Sequence, residues 1–97
     1  MNTETFTTDG YSLASRRAAV AEREKLASAI RRGSTVVYDL STVVSISSSY
    51  ADEMFGVLVI EFGLEKTLDS VKVVGAHKGV LRVIAEAMKE RIPASAA

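Results

Sequence analysis

At 97 residues and 47% hydrophobic content, the chain can hold one small core but not two, so a single domain over residues 1–97 is expected. Twelve Lys and Arg against twelve Asp and Glu give zero formal net charge, which removes any general attraction to nucleic acid or anionic membrane. The absence of cysteine excludes disulfides and thiolate metal sites.

Residues 1–11 read as a short N-terminal strand or arm, with threonines around Phe6 and an Asp9-Gly10 turn to end it. The opening residues carry no apolar signal core, and no apolar run approaches the roughly 18 residues of a membrane span, so a soluble cytoplasmic protein is expected. From Ser12 the run SLASRRAAVAEREKLASAIRRG predicts a helix capped by Ser12 and stopped by Gly33. Arg16 and Arg23 fall on the same arc as Ala19, Val20, Leu26, Ala27 and Ile30, so they either edge the buried face or meet a carboxylate.

STVVYDL, Ser34 to Leu40, predicts a strand, and its lack of alternation predicts burial on both faces. An extended VVSIS follows. YADEMFGVLVIEF mixes strand and helix signals, and helix is preferred because Ser49 with Asp52 resembles a capping box and Gly63 supplies a stop. On that helix Tyr50, Met54, Val57, Leu58 and Phe62 face the sheet, leaving Phe55 and Val59 as a surface on which two copies could meet. VKVVGA predicts a further strand. KGVLRVIAEAMKERI predicts an amphipathic helix with Val80, Leu81, Ile84, Ala85 and Met88 on one face and an Arg82–Glu86 pair, closed by Pro93 before a disordered tail at 93–97. This order of strands and helices is a βαβα unit, which predicts a partly or mostly parallel sheet with about three helices packed on it.

From Ser12 to Thr35 six basic residues stand against two acids, and from Asp39 to Ser70 six acids stand against one lysine. Such segregation implies intramolecular pairing or two faces of opposite sign offered to a partner. The sole histidine, His77, sits in a turn, and GAHKG lacks the spacing of a phosphate loop. Asp39, Asp52 and Glu53 are the acids available to a small hydrolase or nucleotide binder; no catalytic residue, metal or cofactor is assigned. Ser47, Ser48 and Ser49 precede the second helix, where a hydroxyl caps free backbone N–H groups and an added phosphate would meet both a favourable dipole and two repelling acids.

The order of elements, with Asp39-Leu40-Ser41 ending the strand before a serine-led helix, resembles the STAS domain of anti-sigma factor antagonists. In that family a serine at this helix start is phosphorylated by a histidine-kinase-like ATPase, which implies Ser48 or Ser49 as acceptor. The run Ser49-Tyr50-Ala51-Asp52-Glu53, with Ser15 to Ala19 upstream, is similar to the hallmark of a STAS-like family of unknown function in bacterial and phage genomes. Its members are often fused to or encoded near such ATPases. The resemblance implies a non-enzymatic regulatory or adaptor domain whose partner-binding residues are Ser47, Ser48, Tyr50, Asp52, Glu53 and Phe55, and together with the charge segregation it leads to the expectation of a buried pair between Arg16 and Asp52 or Glu53.

Overall fold

The structure, a computed structural model, describes residues 2–8 and 12–92. The Asp9-Gly10 turn, Pro93 and the tail lie outside the described residues. Strand β1 (Thr3–Thr7) pairs in parallel with β3 (Thr35–Asp39), which pairs in parallel with β5 (Val71–Val74), giving the order β1-β3-β5. A second, two-stranded parallel sheet joins β2 (Ser12–Leu13) to β4 (Ser45–Ile46). The helices are α1 (Arg16–Arg31), α2 (Ser48–Ala51), α3 (Val57–Phe62), α4 (Leu64–Ser70) and α5 (Lys78–Glu90), with a π-helical segment at Asp52–Gly56 joining α2 to α3. The parallel α/β architecture agrees with the sequence reading. The addition is α4, which begins directly after Gly63 turns the chain at φ +85°, a value that favours glycine.

The main sheet is covered on one face only. Val36 and Tyr38, with their cross-strand neighbours Phe6, Val71 and Val73, face the helices, whereas Thr35, Val37 and Asp39 alternate onto a partly open side. Burial of β3 on both faces is therefore incorrect, because no helix covers the second face among the described residues. Leu26, Val36, Tyr38, Leu40, Met54, Leu58 and Val80 are the large core side chains, and Tyr38 meets Phe55 edge to face at 6.2 Å. Buried Thr67 donates to the carbonyls of Gly63 and Leu58, tying α4 to α3.

The π segment changes which residues reach the core. The Val57 N–H donates to the Asp52 carbonyl five residues back, so the turn holds one residue more than an α-turn and shifts the phase of everything after it. Met54 with Phe55, and Leu58 with Val59, are consequently buried as adjacent pairs. Phe55 and Val59, read from sequence as a surface for self-association, are 2% and 4% exposed; Ile60 is the exposed residue instead.

Candidate functional site

The site is assembled by the small β2–β4 sheet. Pairing of Leu13 with Ile46 sets two helix starts side by side, and Ser47 fixes them by donating its Oγ hydrogen to the Ala14 carbonyl and its N–H to Leu13. Each helix is capped by a serine just beyond its strand: Ser15 Oγ accepts from the Ala18 N–H and Ser47 Oγ from the Tyr50 N–H. Ser12 and Ser49 are therefore not the caps. Ser12 is committed to strand β2, and Ser49 lies inside the first turn, so Asp52 forms no capping box.

Asp52 instead gathers arginines. Arg91, just past α5, approaches it with Nε and Nη2, each 2.6 Å from a carboxylate oxygen, and Arg16 adds Nη1 at 3.2 Å. Glu53 accepts from Arg16 at 3.3 Å and from Arg23 Nε at 3.0 Å. The Arg23 and Glu53 side chains are each 15% exposed, whereas Arg16 is 47% exposed. The most enclosed ion pair is thus Arg23–Glu53, and Arg16–Asp52 is a contact at the rim. Arg91, held chiefly by bidentate hydrogen bonding, keeps the Asp52 carboxyl below its usual pKa, with Arg16 helping.

Gly56 makes this approach possible. A Cβ there would lie 2.6 Å from Asp52 Oδ1 and 3.3 Å from the Ala87 carbonyl, so a side chain would push α5 and the carboxylate apart. Arg31 and Glu61 continue the pairing along the same two elements, and the basic first helix is thereby matched to the acidic second one.

Around the cluster lies an open cleft of about 390 Å³ lined by Arg16, Ser48, Ser49, Asp52, Glu90 and Arg91. Ser48 and Ser49 are exposed, and Ser47 is half-buried in its capping role. Tyr50 and Phe55, expected at a partner surface, are 3% and 2% exposed and belong to the core. Burial, with Glu22 nearby, pushes the Tyr50 hydroxyl pKa upward. Asp39 accepts the Ser41 N–H at 2.9 Å, which explains the Asp-Leu-Ser strand end as a turn packed under Gly75. His77 is the exposed residue before α5. No hydrogen bond or ion pair joins Asp39 or His77 to Asp52 or Glu53 among the described residues, and none of their acids cluster with the spacing of a metal site.

Arg23 was legible as a residue on the inner arc of α1 that needed a carboxylate. Arg91 was missed: it lies 39 positions from Asp52, in a segment read only as the end of an amphipathic helix.

The family described as "STAS-like domain of unknown function (DUF4325)" matches residues 23–81. No curated protein and no solved structure matches the chain. No described helix is long and apolar enough to cross a membrane.

Proposed function

The chain belongs to the family of STAS-like domains of unknown function, and from that membership we propose that it is a non-enzymatic regulatory or adaptor domain acting in the cytoplasm. It binds a protein partner, a histidine-kinase-like ATPase module, through the exposed start of the 48–62 helical run. The observation that carries this reading is the pair Ser48 and Ser49, free of capping duty and set at the mouth of a cleft whose walls are locked by Asp52, Arg16 and Arg91. A surface held rigid by ion pairs loses little freedom on binding, which favours recognition. Tyr50 and Phe55 are core residues that anchor the start of this helical run.

A second reading is a phosphorylated switch at Ser48 or Ser49. It is favoured by the engagement of Asp52 and Glu53 with three arginines, which offsets the repulsion those acids would exert on a phosphate. Mixing the chain with a histidine-kinase-like ATPase module and ATP tests both. A complex without mass change, weakened about tenfold or more by Ser48→Arg, supports the adaptor. A gain of one phosphate that Ser48→Ala or Ser49→Ala abolishes supports the switch, and the absence of both a complex and a mass change refutes both.

A further inference from the structure

The main sheet ends in two edges, and they differ. At the β5 edge α4 packs alongside, the Val71 N–H donates to the Thr67 carbonyl, and Lys72 Nζ donates to the Leu68 carbonyl at 2.9 Å. Beyond that edge lies an apolar groove between α4, β5 and α5, at which Leu68 and Leu81 stand 51% and 44% exposed. The five apolar residues assigned to one face of α5 from sequence thus divide: Val80 and Ile84 are buried, Met88 is half-buried, and Leu81 and Ala85 are left in solvent. The Arg82–Glu86 pair expected from helical spacing is not formed among the described residues.

The β1 edge has no such cover. The Thr35 N–H donates to the Asn2 carbonyl, so in this parallel register Asn2, Glu4 and Phe6 turn their backbone groups toward β3. The N–H and C=O groups of Thr3, Thr5 and Thr7 therefore point outward, and they meet no hydrogen-bond partner among the described residues. Proteins ordinarily shield a free edge with lysine, proline, a bulge or a covering element. Here the register runs unbroken from Thr3 to Thr7, and the strand holds neither lysine nor proline. Its one charge, Glu4, lies on the helix-covered face, where Arg32 Nη2 approaches its two carboxylate oxygens at 2.8 and 2.9 Å. Thr3, Thr5 and Thr7 are all exposed.

We infer that this edge pairs with the same edge of a second copy of the chain, antiparallel, about a two-fold axis through Thr5. The pattern Thr-x-Thr-x-Thr is its own complement under that operation: Thr5 meets Thr5, Thr3 meets Thr7, and each pair exchanges the backbone hydrogen bonds left free in the single chain. A strand of another sequence would gain the same backbone bonds; the symmetry about Thr5 is what selects a second copy. A register shifted by two residues leaves one threonine of each chain unpaired, so the symmetry also fixes the alignment. Threonine opposite threonine is a favourable cross-strand pair, and β-branched residues suit the extended backbone. On the helix-covered face Glu4 falls opposite Phe6 of the second copy and keeps its own Arg32, so no like charges stand directly opposed. The two three-stranded sheets become one continuous sheet. This edge takes the place of Phe55 and Val59, which the core consumes, and it involves no residue of the Ser48 cleft.

Sedimentation velocity of the full chain from micromolar to millimolar concentration, with amide hydrogen exchange followed by NMR, tests it. A concentration-dependent dimer is expected, in which the Thr5 amide exchanges about tenfold or more slowly than in the dilute chain. Thr5→Pro removes an outward N–H without removing a donor from the β1–β3 ladder, and it weakens the dimer about tenfold or more. Thr5→Lys and Thr5→Glu each set like charges face to face at the axis and weaken it as much, whereas an equimolar mixture of the two restores association because the charges at the axis are then opposite. Circular dichroism melts check that each variant is folded, and the charge variants at this exposed position keep the test valid if Thr5→Pro is not. A monomer throughout the range, a dimer indifferent to all three variants, or a mixture that fails to restore association would overturn the inference. So would a monomer whose Thr5 amide is protected only when a histidine-kinase-like ATPase module is added.

Discussion

The two sides of α5 treat charge in opposite ways. At its C-terminal end Arg91 is locked onto Asp52 in a cluster where every carboxylate has a guanidinium partner, while along its outer side Lys78, Arg82 and Lys89 face solvent beside uncovered leucines. Satisfied ion pairs position elements, because each partner is held by geometry that the other dictates. Unsatisfied charges flanking an apolar strip remain available for association. The difference separates what holds this fold together from what it offers to other molecules, and it yields predictions for the satisfied side in order of expected size.

The largest effect is expected at Gly56. Gly56→Ala places a methyl group against Asp52 Oδ1 and the Ala87 carbonyl, and overpacking of this kind costs about 2–3 kcal/mol, read as a fall in melting temperature. A melting temperature equal to wild type would mean that the close approach of α5 is not needed. Glu53→Ala comes next. Breaking a fully buried pair costs about 3–5 kcal/mol, but here both side chains keep some exposure and Arg23 retains Glu24, so about 2 kcal/mol is expected from urea unfolding. Arg16→Ala, which removes only rim contacts of a half-exposed side chain, costs under about 1 kcal/mol by the same measurement. Equal losses for these two would erase the distinction between enclosed and rim pairs.

Asp52 adds a pH dependence. Its folded pKa is depressed, so the stability it contributes is fully present above its unfolded pKa and is lost as pH falls through the folded value. The melting-temperature gap between wild type and Asp52→Asn therefore narrows as pH is lowered from neutrality to below the ordinary aspartate range. A gap that stays constant would show that the charge of Asp52 contributes nothing.

Much of the frame was readable in the residues. Composition and spacing gave α1, the β3 strand with its Asp-Leu-Ser end, the β5 strand and α5, and the segregation of bases before acids foretold pairing between α1 and the 48–62 run. The π segment was not readable, since Asp52 to Gly56 differs in no propensity from an ordinary helix, and its phase shift is what sends Phe55 and Val59 inward. Ser47 rather than Ser49 became the cap because a tertiary pairing, Leu13 with Ile46, decides where the helix begins. Arg91 escaped notice for the same reason: its partner is chosen by the packing of α5 on the π segment, not by local sequence.

The most direct measurement is a binding titration of a histidine-kinase-like ATPase module, the class of partner proposed above, against wild type, Ser48→Arg and Leu81→Arg, each confirmed folded. Ser48→Arg is expected to weaken the complex about tenfold or more while Leu81→Arg binds as wild type does. Loss of binding in Leu81→Arg with full binding by Ser48→Arg would contradict it, placing the partner in the apolar groove and leaving the serine-led cleft without a role.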